Sequence, residues 1–269
     1  MAKKKKLTMA QRADKHVLYE KSVQAPDAEL DFVTDTFRKL RGRKPVLLRE
    51  DFCGTANISC AWVRRSPKNR AIGVDIDPDV LEWSRRHKVS ALTASQAARL
   101  KLIQSDVRTA RCQRADATLA LNFSYFIFKT RREMKGYFRR VHAGLVRDGI
   151  LFLDAFGGYE AFQEMEEATP YNGFTYVWDQ ARYNPVNGHI LCHIHFRFRD
   201  GSRMRRAFTY DWRLWTLPEL TEMLEESGFR TTVYWEGTAE DGGGNGEFTP
   251  VTEADADPAW LAYIVAEKI

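Results

Sequence analysis

LLREDFCGTANIS, residues 47–59, is the stretch that decides the fold. It begins with strand-like apolar residues, passes through the carboxylates Glu50 and Asp51 and the single glycine Gly54, and continues in a helix-like run. This is the outline of a nucleotide-binding strand–loop–helix unit, in which glycines usually let the backbone approach the ligand. The stretch predicts a cofactor loop, but one that lacks most of the glycines that a pyrophosphate needs.

Strands and helices alternate around this stretch. A helical region covers residues 11–40, with a helix start at Pro26-Asp27. Such alternation implies a parallel sheet with helices on both faces, which is an α/β architecture. The pattern predicts strands at 46–49, 71–75, 100–104, 117–122, 150–155, 232–235 and 260–266, and helices at 56–65, 131–146 and 216–227. Asp77 and Pro78 are expected to begin a further helix, and Thr216 and Glu219 to form a capping box. The helix at 131–146 is expected to end before Asp148-Gly149, and residues 241–246 to form a glycine-rich loop.

The alternation stops at Gly157 and returns at Thr216. A short helix is expected within residues 158–170, and period-2 alternation with turns at 184–188 and 200–201 predicts strands over 174–215. We therefore expect a three-stranded antiparallel insertion that covers the substrate pocket. It is rich in aromatic residues, namely Tyr171, Tyr176, Trp178, Tyr210 and Trp212.

Composition is ordinary for a globular protein, with 44% hydrophobic and 29% charged residues. Lys3 to Lys6 contribute four of the net +5 charges, so the remainder of the chain is close to neutral and the tail is expected to be solvated. The four cysteines have no zinc-binding spacing, and no metal is expected. Free thiols and the lack of a long apolar N-terminal segment favour a cytoplasmic protein.

Polar residues follow the predicted strands at the edge where an α/β sheet binds its ligands. Asp75 ends the second strand, 21 residues after Gly54, which suits a carboxylate that accepts hydrogen bonds from both ribose hydroxyls. Asp106 follows the third strand and suits an adenine amino group. Asn122-Phe123 ends the fourth strand.

The order of these residues resembles class I S-adenosylmethionine-dependent methyltransferases. Their first motif, acid-x-Gly-x-Gly-x-Gly, corresponds to residues 50–56, where Glu50 takes the acidic position and only Gly54 is kept among the glycines. Residues 73–78, Gly-Val-Asp-Ile-Asp-Pro, are similar to the second motif. The resemblance also includes Asp106, residues 147–153 and residues 215–229, and it covers roughly 45–156 and 215–267. S-adenosylmethionine has no phosphate, so a loop that contains Phe52 and Ala56 suits it better than a dinucleotide.

The resemblance implies a Rossmann-like sheet of seven strands, mostly parallel, with an antiparallel last strand. Together with the residue patterns, it predicts a basic tail at 1–10, a helical lid at 11–44, a cofactor domain at 45–156 and 216–269, and an inserted β subdomain at 157–215 that contributes to a homodimer. The cofactor is expected to be S-adenosylmethionine, with transfer of its methyl group by in-line displacement to N, O or carboxyl of a small molecule. The expected cofactor-binding residues are Tyr19, Glu50, Phe52, Cys53, Gly54, Asp75, Ile76, Asp106, Val107, Asn122 and Phe123.

Catalytic and substrate residues are less constrained by the sequence. His193 and His195 are candidate general bases, because alternation places both on one face of an inserted strand. The plainer interpretation is that this face of the sheet is exposed or forms a subunit contact. Tyr125, Tyr171, Trp178, Tyr210 and Trp212 are candidate substrate contacts.

Three alternative functions are open. The lysine tail and the basic helix over 129–140 favour an RNA methyltransferase. The degenerate first motif allows a non-catalytic protein that only binds S-adenosylmethionine. Tyr125 and Lys129 have the Tyr-x-x-x-Lys spacing of an NAD(P)-dependent oxidoreductase.

Overall fold

The computed structural model describes residues 7–239 and 243–269, and an eight-stranded sheet forms the centre of the molecule. Five parallel strands come first along the chain, and three more strands follow the insertion. The strands of this sheet are β1 (Leu47–Asp51), β2 (Arg70–Asp75), β3 (Leu100–Gln104), β4 (Ala115–Ala120), β5 (Leu145–Gly157), β10 (Phe229–Thr238), β11 (Gly244–Val251) and β12 (Trp260–Lys268).

The strand order is β11-β10-β12-β5-β4-β1-β2-β3. Strand β12 is antiparallel to both β5 and β10, and the pairs among β1 to β5 are parallel. This confirms the prediction of a Rossmann-like, mostly parallel sheet with an antiparallel last strand. The eighth strand, β11, was not predicted, because residues 241–246 were interpreted as a glycine-rich loop. Of these, 241 and 242 lie outside the described residues, and Gly244 to Gly246 belong to β11.

Helices cover both faces of the sheet, and one apolar cluster lies on each face. Several helices begin where the sequence predicts: Asp77 caps one N-terminus, and Thr216 and Glu219 form a capping box at another. The helices are α1 (Met9–Arg12), α2 (Lys15–Val23), α3 (Pro26–Arg41), α4 (Asn57–Arg65), α5 (Pro78–His87), α6 (Ala94–Ala97), α7 (Arg131–Gly144) and α8 (Leu217–Glu225). No helix of the described residues is both long and apolar enough to cross a membrane.

The N-terminal region differs from the predicted tail and helix. Lys3 to Lys6 lie outside the described residues. Residues 9 and 10 begin α1, which is capped by Thr8 and attached to the insertion through a hydrogen bond from Met9 N to Asp200 Oδ2 (2.8 Å). Asp14 then caps α2, and the helix predicted from Pro26 is α3.

The insertion is a separate antiparallel sheet of four strands, not three, in the order β6-β7-β8-β9. Strand β6 is the additional one, and a single 3₁₀ turn at Tyr159–Phe162 replaces the expected short helix. All but one of the residues of β6 are exposed, so it has no apolar alternation by which the sequence could reveal it. The strands are β6 (Met165–Tyr171), β7 (Phe174–Asn184), β8 (His189–Phe198) and β9 (Arg203–Arg213).

Gly73, in the middle of β2, allows the loop after β1 to pack against the sheet. A Cβ atom at this position would lie 2.9 Å from both Cys53 Sγ and Leu102 Cδ2. We expect Gly73→Ala to lower the free energy of unfolding by about 1–3 kcal/mol, because a buried methyl group would overpack this contact. Denaturant unfolding measures the change.

Gly136 provides the matched control for this substitution. It is exposed on α7, and an added Cβ would meet nothing within 4 Å. Gly136→Ala should therefore stabilise the protein by about 0.5–1 kcal/mol. Equal effects of the two substitutions would contradict the packing argument for Gly73.

Candidate active site

The loop between β1 and α4 has the backbone of a glycine-rich loop but only one of its three glycines. Phe52, Gly54 and Ala56, which stand at the three glycine positions of the motif, have φ angles of 57°, 50° and 55°. This left-handed region costs a residue with a Cβ atom about 1–2 kcal/mol. Phe52 is held there by its ring, which packs against Phe128 and Tyr137, and Ala56 is completely buried.

Asp75 fixes this loop from the end of the neighbouring strand. Its Oδ2 accepts a hydrogen bond from Gly54 N (2.7 Å), and its Oδ1 accepts one from Asp77 N (3.0 Å). Burial raises the pKa of Asp75. A carboxylate oxygen has two lone pairs, so each oxygen can still accept a second hydrogen bond from a ligand.

Glu50 lies beneath the loop and is 5% exposed. Its Oε2 accepts hydrogen bonds from both Ser59 N (2.9 Å) and Ser59 Oγ (2.5 Å), at the start of α4. Burial raises the pKa of Glu50 to about 8 despite these bonds. The pairing with Ser59 leaves Oε1 for a ligand.

An ion pair supports the end of β1 from below. Arg49 Nε donates to Asp51 Oδ1 at 2.6 Å, and both residues are 1% exposed. Tyr137 OH donates to the other oxygen of Asp51 at 3.0 Å. The guanidinium also donates to the Val107 carbonyl oxygen at 3.1 Å, so it links β1 to the loop after β3.

Helix α2 lies over the loop as a lid. Thr55 Oγ1 donates to Glu20 Oε1 (2.7 Å), and Lys88 forms an ion pair with the other oxygen of Glu20. At the C-terminal end of the lid, Asn57 Nδ2 donates to Gln24 Oε1 (3.0 Å). These contacts attach α2 to both sides of the loop.

Between the lid, the loop and the inserted sheet is a cavity of about 310 Å³, which we call the loop cavity. Its lining combines carboxylates, loop residues and aromatic rings. Among the predicted site residues, it contains Tyr19, Glu50, Phe52, Cys53, Gly54, Asp75, Asn122, Tyr210 and Trp212. Lys15, His16, Gln24 and Asp51 also line it.

A second cavity of about 260 Å³, the ring cavity, continues from the first beneath the inserted sheet. Tyr210 and Trp212 stack at 4.4 Å between ring centroids, and Trp178 lies 6.2 Å from Trp212. Phe123 and Tyr176 also line this cavity.

A third cavity of about 760 Å³, the acidic cavity, lies between α3, β5 and the last strands of the sheet. Asn122 lines all three cavities and marks the point where they meet. Asp154, in the C-terminal half of β5, accepts hydrogen bonds from Asn122 N (2.6 Å) and Phe123 N (2.9 Å). Burial raises the pKa of Asp154 to about 7, and the charge of Glu29 contributes in the same direction.

The other predicted site residues lie outside these cavities. Asp106 forms an ion pair with Arg108 at 2.6 Å, Val107 is buried, and Ile76 is 67% exposed. Tyr171 donates its hydroxyl hydrogen to the Ser22 carbonyl oxygen at the end of the lid (3.0 Å). Tyr125 is completely buried and donates to the Asp154 carbonyl oxygen (2.7 Å).

The buried Tyr125 weakens the oxidoreductase alternative. Its hydroxyl group faces the backbone of β5, and Lys129 is paired with Asp211 at 2.6 Å. Neither residue lines the loop cavity. The tyrosine and lysine are thus not arranged to transfer a proton to a ligand there.

His193 and His195 point away from the cavities. Ile194, between them on β8, lines the ring cavity, so alternation places both imidazoles on the opposite face. His193 Nδ1 is paired with Thr209 Oγ1 (2.9 Å), and burial lowers the pKa of His193. The catalytic role of the two histidines stays a prediction that this placement does not support.

One group of the described residues, Glu166, Asp179 and His195, has a spacing that could hold a metal ion. However, His195 Nδ1 accepts from Arg206 N (2.7 Å), and Nε2 faces Asp179 at 3.0 Å. Both ring nitrogens are therefore occupied. Arginines 197, 203, 205 and 206 line the same depression, which disfavours a cation.

Sequence reasoning missed Glu29 and Asp154. Asp154 carried a signal, because it is the one carboxylate in the apolar run 150–156. Glu29 carried none, since it lies beside Leu30 on an ordinary amphipathic helix. Only the folded chain brings the two residues to one cavity.

No model of a known protein family matches the sequence, and no curated protein matches it either. Solved structures do match the fold, at low sequence identity. A S-adenosylmethionine-dependent methyltransferase from Clostridium acetobutylicum superposes with a TM-score of 0.71 at 13% identity, covering 94% of this chain and 97% of that one. CalS10, an amino pentose methyltransferase from Micromonospora echinaspora with bound S-adenosylmethionine, gives 0.67 at 17% identity, with coverages of 94% and 96%. The sugar N-methyltransferase KedS8 from Streptoalloteichus gives 0.64 at 17% identity, with coverages of 95% and 93%. The chain therefore has the fold of these methyltransferases over nearly its whole length.

Proposed function

We propose that this protein is a S-adenosylmethionine-dependent methyltransferase that acts on a small molecule. The observation that carries the proposal is the loop at residues 52–56, which keeps the left-handed backbone at all three glycine positions and is tied to Asp75. The shared fold with CalS10, whose structure contains the cofactor, supports it.

The loop cavity offers a matching group for each part of the cofactor. Asp75 would accept hydrogen bonds from the ribose hydroxyls, and Glu50 Oε1 would face the ammonium group of the methionine end. Tyr19 would close the cavity from the lid, with Phe52 to Gly54 along one wall. For the adenine, Asp106 and Val107 stay predictions, because in this structure Asp106 is paired with Arg108.

The bound cofactor supplies a methyl group that is already electrophilic, so the protein has to position the acceptor and exclude water. The rings of Trp178, Tyr210 and Trp212 exclude water on the acceptor side. Asp154 holds the turn that carries Asn122, where the loop cavity opens into the other two cavities. Asn122 would therefore border the point of transfer.

An acceptor space lined by aromatic rings of the inserted sheet favours a small molecule over RNA. The basic helix α7 is partly neutralised, since Arg131 and Lys135 both form ion pairs with Glu226. The lysine tail lies outside the described residues. A homodimer formed through the inserted sheet and a cytoplasmic location also stay part of the proposal.

Replacing Asp75 tests the cofactor assignment. We expect Asp75→Ala to weaken S-adenosylmethionine binding by about tenfold or more, because it removes a charge-assisted contact of about 1.5–3 kcal/mol. Calorimetric titration with S-adenosylmethionine, S-adenosylhomocysteine and NADPH measures the affinities. Asp75→Asn serves as the milder variant, since it keeps an acceptor for the Gly54 N–H.

Asp79→Asn is the control, because Asp79 is an exposed acid in the first turn of α5. Its cofactor affinity should equal that of the wild type. Unchanged affinity in a folded Asp75→Ala protein would refute the ribose assignment. Binding of NADPH alone would refute the methyltransferase itself.

A further inference from the structure

We propose that the methyl acceptor is an amine whose positively charged nitrogen binds in the acidic cavity and whose apolar body lies in the ring cavity. This rests on the proposed function, since it names the substrate class of the same site. The sequence leaves N, O and carboxyl acceptors equally open, and the acidic cavity distinguishes among them.

The first observation is a buried carboxylate without a partner. Glu29 is 9% exposed and lines the acidic cavity, yet its Oε2 atom has no hydrogen-bond partner in the described part of the chain. Its Oε1 has only a long hydrogen bond, 3.5 Å from Ala25 N. A buried carboxylate in this state is unfavourable unless a ligand completes it.

Asp154 is a second buried carboxylate in the same cavity. It is 8% exposed, and its partners are the backbone N–H groups of Asn122 and Phe123. Neither Asp154 nor Glu29 forms an ion pair with any described residue. Because no positively charged side chain of the described residues pairs with these two buried acids, they are suited to bind a cation that the substrate supplies.

The rest of the lining is consistent with a cationic ligand. Among the described residues, the other ionisable groups that face this cavity are one lysine, two tyrosines and three further acids. Two of these acids are exposed: Asp31 pairs with Arg65, and Asp35 pairs with Arg38. Glu236 accepts from Gly246 N (3.0 Å). Among the described residues, the charged ones that line the cavity are Glu29, Asp31, Asp35, Lys39, Asp154 and Glu236.

The position of the cavity connects it to methyl transfer. Asn122 borders the loop, ring and acidic cavities, so a nitrogen beside Asp154 lies next to the cofactor side. The bound ammonium would give one proton to the Asp154 carboxylate. The lone pair freed in this way would form the new N–C bond to the methyl carbon, while the bond from that carbon to sulfur breaks and leaves its electron pair on sulfur. The rings of Trp178, Tyr210 and Trp212 can pack an apolar body and also attract a cation. A neutral alcohol or an anionic carboxylate would leave Glu29 and Asp154 without a counter-charge.

Phenethylamine and phenethyl alcohol are suitable probes, since they differ only in the charged group. Both are titrated by calorimetry, with and without saturating S-adenosylhomocysteine, at a pH of about 8, where the two acids are ionised. We expect the amine to bind at least about tenfold more tightly than the alcohol. Glu29→Gln should weaken binding of the amine toward that of the alcohol, with Asp154 left as the one buried carboxylate, and should leave S-adenosylhomocysteine binding unchanged.

Asp35→Asn is the matched control, because it removes an exposed carboxylate from the same helix and the same cavity. It should leave the preference for the amine intact. Asp154→Asn is a second test. The two backbone N–H groups bond to different oxygens of Asp154, so the asparagine NH2 would face one of them donor to donor, and Glu29→Gln therefore carries the result.

Equal affinities of amine and alcohol, binding of neither, or full amine affinity in Glu29→Gln would overturn the proposal. The cofactor assignment fails separately. If S-adenosylhomocysteine does not bind, the methyltransferase is refuted, while the titrations without it still decide whether the acidic cavity selects a cation.

Discussion

Arg49→Met should lower the free energy of unfolding by about 3–5 kcal/mol, because it leaves the buried Asp51 without its counter-charge. The two side chains are 2% and 0% exposed, and their atoms lie 2.6 Å apart. Burial raises the pKa of Asp51, and the guanidinium of Arg49 opposes this effect. Denaturant unfolding at neutral pH measures the loss.

Two further variants isolate the cause. Arg38→Met breaks an exposed pair with Asp35, whose side chains are 55% and 66% exposed, and should cost less than about 1 kcal/mol. Adding Asp51→Asn to Arg49→Met should recover part of the loss, because no uncompensated charge then stays buried. If Arg49→Met and Arg38→Met cost the same, Asp51 does not depend on Arg49.

The unliganded protein should become less stable as the pH rises from about 4 to 8, and Glu29 should cause a measurable share of this loss. Burial raises the pKa of Glu29 to about 7 in the folded state, whereas in the unfolded chain it titrates near its ordinary value of 4.5. The folded state therefore binds the proton more tightly, and its advantage disappears as the pH rises through the folded pKa. Each unit by which the folded and unfolded pKa values differ changes the free energy of unfolding by about 1.4 kcal/mol, so we expect Glu29 to account for roughly 3 kcal/mol.

Glu29→Gln removes this contribution. The variant should match the wild type at a pH near 4, below the unfolded pKa, and exceed its stability by roughly 3 kcal/mol at a pH near 8. Unfolding curves of both proteins at the two pH values give the difference in the free energy of unfolding between variant and wild type. The contributions of the other titrating groups are the same in both proteins and cancel in this difference. A gap that does not change with pH would show that Glu29 has an ordinary pKa.

The core of the fold could be predicted because its signals are local. The boundaries predicted for β3, residues 100–104, are those of the structure, and Asp77 and Thr216 cap the helices that the sequence assigns to them. The missed strands β6 and β11 are at sheet edges, where most side chains are exposed and alternation gives no signal. Residues 148–149, expected to separate the helix at 131–146 from the strand at 150–155, lie within β5, which begins at Leu145.

The site was only partly predictable, for a physical reason. Four of the site residues lie at or just after the C-terminal ends of parallel strands, and a parallel sheet brings these ends together at one edge. They are Glu50, Gly54, Asp75 and Asn122. Glu29 belongs to a helix outside this rule, and its partnerless oxygen exists only because tertiary packing covers it. The direction of His193 and His195 depends on which face of the inserted sheet meets the cavity, and alternation alone does not specify that face.

The left-handed angles at Phe52 and Ala56 have a consequence for the order of folding. Neither residue prefers this backbone by itself, so the loop has to be imposed by the rings and strands that surround it. We therefore expect the loop to form after the folding transition state. Mutations at both positions should then change the unfolding rate and not the folding rate, which corresponds to kinetic φ-values near zero. A chain whose sheet has formed but whose side chains are loosely packed would then lack the loop, so that ligand binding becomes a property of the fully consolidated native state alone.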